Sequence, residues 1–255
     1  MNKFWMRIKI KARRFKLILA SLLKGPRWTV CQLCKKRTFY YKEGALLREN
    51  KRCIRCGSIP RWRAMFDALE TIAPNWQQLA IHESAPFGAL SEKLAQKCRN
   101  YTPTHYFPDV EPGSMERGIR NENLEKQTFP DEQFDIVITQ DVLEHVADPQ
   151  SVFKEIARTL KPGGKHFFSI PRDPSKPTEP RVKFRGDEIV HLKPPEYHGN
   201  PYDPAGLLVI TDWGDDICEL ILQWAGTKTE MSPFSDDHDV TETRPAVEVF
   251  ISHKD

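Results

Sequence analysis

One stretch of this chain, residues 129–164, limits its fold more than any other: FPDEQFDIVITQDVLEHVADPQSVFKEIARTLKPGG. It opens on an acidic turn and enters Phe134-Asp135-Ile136-Val137-Ile138, a run short enough and β-branched enough for a buried strand. After Ala147, Asp148 and Pro149, the apolar residues Val152, Phe153, Ile156, Ala157 and Leu160 recur at three- and four-residue steps. That spacing predicts an amphipathic helix. Lys161-Pro162-Gly163-Gly164 stops it, with a cation in the last turn and then residues that end helices. Residues 165–170 (KHFFSI) read as the next strand. Strand, helix and strand within about forty residues make a right-handed βαβ unit, and so part of a parallel α/β sheet.

At 255 residues the chain holds one full α/β domain and a small appendage. The net charge of +3 hides an asymmetry. Residues 1–63 carry 19 Lys or Arg against only Glu43 and Glu49, whereas the rest carries 19 basic and 33 acidic residues. A basic front on an acidic body points the front at something anionic, lipid headgroups or nucleic acid. The six cysteines fall as two close pairs and two singles, Cys98 and Cys218, which suits zinc in a reducing cytoplasm better than disulfides. No run of 18 apolar residues occurs, so no conventional spanning helix is expected.

Taken in order, the chain reads as a basic amphipathic helix over 1–25, a four-cysteine module over 26–60 and an α/β domain over 61–255. Residues 1–24 hold eight Lys or Arg and no acid. Trp5, Ile8, Ala12, Phe15, Leu19 and Leu22 fall on one stripe. Such a helix suits the plane of an anionic membrane surface, which places the chain in the cytoplasm with peripheral attachment at the inner face. The alternative is a helix docked on its own domain or on a partner.

Cys31, Cys34, Cys53 and Cys56 give C-x2-C-x18-C-x2-C. Each pair forms a knuckle with two thiolates on one side, and two knuckles close a tetrahedral structural zinc site with no open position. Lys35, Lys36, Arg37, Phe39, Tyr40, Tyr41, Arg52 and Arg55 make the module basic and aromatic. That composition fits RNA binding, or aromatic packing of the ribbon itself.

In the body, Leu79-Ala-Ile-His-Glu83 reads as the first strand, residues 84–89 as a loop and 90–98 as a helix. Thr102 to Asp109 reads as a second strand. Residues 207–211 and 215–224 follow as strand and helix, and 246–251 as the last strand. The segment FPDEQFDIVITQDVLEHV followed by FKEIARTLKPGG resembles the region around the fourth strand of class I S-adenosylmethionine-dependent methyltransferases of the type-11 family. The resemblance implies a Rossmann-like seven-stranded sheet with its last strand antiparallel, S-adenosyl-L-methionine as cofactor and a set of cofactor residues. In the loop Glu83-Ser84-Ala85-Pro86-Phe87-Gly88-Ala89 the family's carboxylate is kept as Glu83. One glycine remains, Gly88, to supply the positive-φ position, and small Ser84, Ala85 and Ala89 leave room for the methionine part. Asp109 would accept from the ribose hydroxyls, Asn123 would face the adenine amino group and Leu124 the adenine ring, while Asp141 follows the fourth strand. Taken by itself, Asn123 reads equally as a turn cap. Asp141, Glu144 and His145 also match in type an acid, Glu and His that hold a divalent metal in some methyltransferases acting on quinone precursors. In most members with this segment the Glu-His pair orients local structure.

Residues 171–204 hold eight of the twenty prolines and little periodicity, which predicts a long ordered lid over the acceptor site. Within it His198 and Tyr197, with His191 nearby, are the groups suited to deprotonating an acceptor; a turn histidine in a structural hydrogen bond is the other reading. The expected activity is methyl transfer by direct displacement to a small-molecule, glycan or lipid-linked acceptor, at oxygen or nitrogen. An acidic body repels a long phosphate chain, which sets this above rRNA or tRNA methylation through the zinc module. The contrasting class is a non-catalytic scaffold of the same fold.

Overall fold

The computed structural model describes residues 3–43, 47–186, 188–199, 205–233 and 247–255, with backbone alone at 3–11, 47, 48 and 233. The chain divides into two compact units, Met1–Pro74 with Phe87–Gln96 and Pro233–Glu248, and Asn75–Pro86 with Lys97–Ser232 and Val249–Asp255.

The first unit begins with α1 (Lys3–Leu23), which packs on the strand Tyr40–Lys42. Two antiparallel ribbons follow, Thr29–Val30 with Arg37–Thr38 and Tyr40–Lys42 with Lys51–Cys53. Cys31 and Cys34 lie in the turn of the first ribbon, while Cys53 closes the second ribbon's last strand and Cys56 lies in the turn that follows it. The two turns are built alike: the Lys35 amide donates to the Cys31 carbonyl at 2.8 Å and the Gly57 amide to the Cys53 carbonyl at 2.9 Å. Both Lys35 and Gly57 stand at positive φ, which the tight turn around a cysteine pair imposes. Helix α2 (Pro60–Ile72) starts on Pro60, whose missing N–H costs nothing at that position. Its fully buried Arg63 donates to the carbonyls of Lys51 and Ser58 and lies 4.0 Å over the Tyr40 ring. A buried guanidinium needs such a set of acceptors, and here they tie the helix to the ribbon. From α3 (Ala89–Lys97), Lys93 reaches the Leu33 carbonyl and the Phe66 ring.

The second unit is built on one sheet. Its strands are β1 (Ala80–Ser84), β2 (Asn100–His105), β3 (Met115–Glu116), β4 (Ile119–Asn121), β5 (Phe134–Gln140), β6 (Leu160–Ser169), β7 (Lys228–Pro233) and β8 (Glu248–His253). Their order is β7-β8-β6-β5-β1-β2-β4-β3. From β6 through β5, β1 and β2 to β4 the pairing is parallel, and β8 joins β6 antiparallel. The seven-stranded expectation is met with one addition: the short hairpin strand β3 extends the β4 edge antiparallel. A strand of two residues leaves little unpaired edge exposed.

The segment 134–169 behaves as its pattern dictates. Asp148 caps α4 (Pro149–Thr159) by accepting from the Ser151 amide, with Pro149 at the first helical position. Val152, Phe153 and Ile156 bury against Val137, Phe168 and Phe250 from the sheet and Trp213, Ile217 and Ile221 from the helix α5 (Ile217–Ala225) and its lead-in. The Lys161-Pro162-Gly163-Gly164 turn interrupts the β5–β6 register between Leu160 and Lys165. A Cβ on Gly164 would lie 2.8 Å from the Lys161 carbonyl oxygen, so only glycine fits there. Asp135 fixes the start of the unit, accepting from the Ala80 amide at 2.7 Å and from Lys161 Nζ at 2.9 Å.

Three readings need correction. β2 ends at His105, not Asp109, because Asn121 grips the chain beyond it: its side chain accepts from the Phe107 amide and donates to the Val110 carbonyl. The strand expected at 207–211 is two bridges, Leu207–Leu208 with Tyr197–His198 and Thr211–Asp212 with Glu179–Pro180. The 171–204 insertion carries structure of its own, including the hairpin Val182–Arg185 with Glu188–His191. Residues 200–202, the 236–239 turn and the first residue of the predicted last strand lie outside the described residues.

Candidate active site and metal centre

In the first unit the four cysteine sulfurs lie within 4.8 Å of one another, with Cys31 Sγ and Cys56 Sγ 3.8 Å apart. A tetrahedron with Zn–S bonds of about 2.3 Å has S···S edges of about 3.8 Å, so the cluster has the size zinc requires. Cys31 and Cys53 are buried. The Arg55 amide donates to Cys53 Sγ at 3.4 Å, and the Thr38 and Ser58 hydroxyls lie beside Cys53 and Cys31. Hydrogen bonds from the Cys53 and Cys56 thiols push the Cys31 thiol far below the usual range, while the same sharing pushes Cys56 up. Thiols crowded this way give up protons readily to a cation.

In the second unit β1 lies between β5 and β2, and its carboxyl end is where the strand order reverses. Such a switch point opens a crevice for ligands in parallel sheets. Glu83, the penultimate residue of β1, is buried there, its carboxylate accepting from Tyr101 Oη at 2.5 Å and Gln140 Nε2 at 3.2 Å. Ser84 and Ala85 follow; Ala85 takes φ +51° and its amide donates to the Thr104 carbonyl. The sequence assigned that left-handed turn to Gly88, and the structure puts one at Ala85 as well. Gly88 does have φ +83°, but in the first unit, where a Cβ would overlap the Trp62 indole. Its small size serves that packing.

Asp141 directly follows β5, again at φ +51°; its amide donates to the Ser169 carbonyl at 2.9 Å and Ser169 Oγ donates to its carboxylate at 3.1 Å. Aspartate tolerates this conformation better than most side chains. Asp109 stands exposed in the turn after β2. Asn123 Oδ1 accepts from the Glu125 amide at 2.9 Å, the turn-capping arrangement. Leu124 is 5 % exposed and belongs to the core with Phe129 and Phe134, not to a ligand surface. Glu122 spends its carboxylate on Arg120 and Thr128.

The insertion brings a third group together. His198 Nδ1 lies 3.3 Å from Glu144 Oε1, and His145 Nε2 lies 3.6 Å from the same oxygen, the two imidazoles edge to face at 5.0 Å. Glu144 is fully buried, and neither of its carboxylate oxygens has an aligned hydrogen bond among the described residues. His145 Nδ1 donates to the Leu208 carbonyl at 2.8 Å in its neutral form, which leaves a lone pair on Nε2 facing the carboxylate. Two acceptors in that position call for a cation, either a proton on an imidazole or a metal ion; the three side chains lie within 4.8 Å by their ligand atoms. The Glu144 carboxylate raises the His198 pKa above its ordinary value, against the opposing effect of burial. Asp141, expected in this set, is outside it. Tyr197 points the other way from His198, as neighbours on a strand do, and is 58 % exposed. His191 is exposed on the hairpin. Glu144 and His198 are 54 positions apart; the bridge of Tyr197–His198 with Leu207–Leu208 and the Ile210 amide on the Glu144 carbonyl place them together. Gly206 permits that bridge: at φ +82°, a Cβ there would press on the His198 carbonyl.

A family model described as a methyltransferase domain matches residues 85–168. Within curated relatives, the chain is 33% identical over 94 residues to the ubiquinone biosynthesis O-methyltransferase of Coxiella burnetii, covering 36% of this chain and 37% of that one. It is 33% identical over 81 residues to phosphoethanolamine N-methyltransferase 1 of Zea mays, covering 31% and 16%. The chain thus spans well under half the length of these relatives. Among solved structures, an S-adenosylmethionine-dependent methyltransferase from Mesorhizobium loti is similar with a TM-score of 0.48 and 16% identity, over 75% of this chain and 98% of that one. The match to the methyltransferase domain stops at residue 168, short of the insertion that carries His198.

Proposed function

We propose that the chain is an S-adenosyl-L-methionine-dependent methyltransferase acting on a small-molecule, glycan or lipid-linked acceptor, with a structural zinc in its first unit. The observation that carries the reading is the buried Glu83 carboxylate at the end of β1, at the switch point of a methyltransferase sheet. The residues present fit the cofactor in part. Ser84 and Ala85 carry small side chains where backbone must approach the methionine portion. Asp141 offers a second carboxylate beyond β5 and Asp109 an exposed one beyond β2 for a ribose, while Asn123 Oδ1 is engaged by the Glu125 amide. Leu124 stays in the core. When bound, the cofactor supplies a methyl group on a sulfonium, open to direct displacement.

The chain's own contribution is alignment and proton removal. With Nδ1 of His198 turned toward Glu144 and Nε2 3.7 Å from the exposed carboxylate of Glu196, Nε2 is the nitrogen that would take the proton from an acceptor hydroxyl or amine. The acceptor's electron pair would then be free for the methyl group that the bound cofactor would supply. Buried Glu144 stabilises the imidazolium that results, as a carboxylate behind a general base does. The same trio suits a divalent cation by ligand type, the alternative the sequence left open.

Incubation with methyl-labelled cofactor and fractionated cell extract tests the reading. Label is expected in the butanol-soluble or small polar fraction, and lost with His198→Gln. Label confined to RNA would replace the acceptor class, and no transfer to any fraction would favour the scaffold.

A further inference from the structure

The stripe of α1 predicted to be apolar is not the face by which the helix packs on its own module. Arg14, Leu17, Ile18 and Ser21 are the half-buried positions, and Arg14 Nε bonds Glu43 Oε1 at 3.2 Å beside the strand Tyr40–Lys42. Ala12, Phe15, Leu19 and Leu22, spaced by three and four, are exposed, and Leu23 beside them is 82 % exposed. The side chains of Trp5 and Ile8, the start of that stripe, lie outside the described residues. Docking within the unit therefore leaves a row of large apolar side chains in water, a situation that marks an interaction surface.

Charge narrows what covers it. Arg13 and Lys16 on the helix, with Lys24 and Arg27 just after it, are all exposed, and the first acid in the whole chain is Glu43. A protein partner or a second copy of this chain would have to bury the row while answering unopposed cations. An RNA strand would answer the cations and leave Phe15, Leu19, Leu22 and Leu23 without partners. An anionic bilayer answers both at once: acyl chains take the apolar side chains and phosphate headgroups the flanking cations. Among the described residues no helix is long and apolar enough to cross a membrane, so an in-plane position is what this segment can adopt.

We propose that α1 is an in-plane anchor for an anionic lipid surface, seated through Phe15, Leu19, Leu22 and Leu23 and held by Arg13, Lys16, Lys24 and Arg27. The proposal does not depend on methyl transfer. It is tested by co-sedimentation of the full chain, zinc-loaded, with vesicles of phosphatidylcholine alone and with about one-third phosphatidylglycerol added. Partition onto the anionic vesicles is expected to exceed that onto neutral ones and to weaken as salt rises. Leu19→Glu with Leu22→Glu, both exposed and so harmless to packing, lowers partition at least about tenfold with an unchanged circular dichroism spectrum. Lys16→Gln with Lys24→Gln lowers it by about fivefold per lysine on anionic vesicles only. Equal partition of wild type and the double glutamate variant overturns the proposal. So does retention on RNA in preference to vesicles, or a dimer in solution that the glutamates dissolve while vesicle binding stays absent.

Discussion

Mild acid should destabilise the second unit through two buried histidines, His82 in β1 and His166 in β6. His82 Nε2 sits 2.8 Å from Thr104 Oγ1 with its ring against Phe129 and Phe134; His166 Nε2 sits 2.9 Å from Thr139 Oγ1 with its ring stacked on Phe168. Their Nδ1 atoms are buried without partners among the described residues, so a second proton would have no acceptor there. Burial pushes both down to about 3 from an ordinary value of 6.5. The folded pKa is depressed, so the unfolded chain binds the protons first as pH falls below 6.5, and stability is lost from there down to about 3. At pH 5 the deficit is about 1.5 pH units, or about 2 kcal/mol for each histidine and about 4 kcal/mol for the pair. Half-buried His105, also pushed down by burial, adds to the same side. His198 acts oppositely: its raised pKa gives stability that is present below the unfolded value and lost as pH rises through the folded one. The carboxylates held low, Asp148, Glu155 and Asp212, lose their contribution only as pH falls through the ordinary carboxylate range and beyond, below the pH 5 of this comparison. Urea titrations at pH 7.5 and 5.0, with the slope unchanged, should show the drop. His82→Gln, which keeps a donor toward Thr104, should recover about 2 kcal/mol of it at pH 5 relative to its own pH 7.5 value. Equal wild-type stability at the two pH values, with His198→Gln also flat, would refute the reasoning.

Other outcomes follow from single contacts. Gly88→Ala adds a methyl where the Trp62 ring stands and strains a φ of +83°, and should cost about 3 kcal/mol, read as a lowered melting temperature. Zinc removal by chelation at neutral pH should unfold the ribbons around Cys31, Cys34, Cys53 and Cys56, seen as new thiol reactivity and loss of one zinc per chain; Cys31→Ser should do the same without chelator. Glu144→Gln should lower the turnover rate and move its rise with pH to lower pH, because the neutral amide no longer raises the His198 pKa. A turnover profile unmoved by that substitution would remove His198 from the role of base. Gly206→Ala should reduce the turnover rate by pushing the Tyr197–His198 bridge off Glu144, with little change in overall melting temperature.

How far the sequence reaches depends on whether the signal is local. Residues 129–170 specified strand, helix, turn and strand because periodicity, cap and Gly-Gly stop all agreed within forty positions, and the cysteine spacing specified its cluster for the same reason. The second strand was carried on to Asp109 because nothing local ends it at His105, whereas the side chain of Asn121, twelve residues beyond Asp109, sets the path of that loop. Leu124 was read as ligand-facing by position alone; the competing demand was the core, which Phe129 and Phe134 fill around it. Gly88 carried no mark to show that an indole 26 residues earlier occupies the space its side chain would take. Tyr101 and Gln140, the donors to Glu83, and Glu144 beneath His198 come from separate strands and turns. The sequence singled out Glu144 with His145, and nothing local joined that pair to His198.

The central claim is that the carboxyl end of β1 holds S-adenosyl-L-methionine despite its reduced glycine loop. Calorimetric titration of the zinc-loaded chain with S-adenosylhomocysteine tests it most directly. The account predicts one site per chain with a dissociation constant in the micromolar range, about −8 kcal/mol, weakened at least about tenfold by Glu83→Ala in a variant that keeps its melting temperature. No heat of binding at about 1 mM ligand, where even −4 kcal/mol would register, would contradict it.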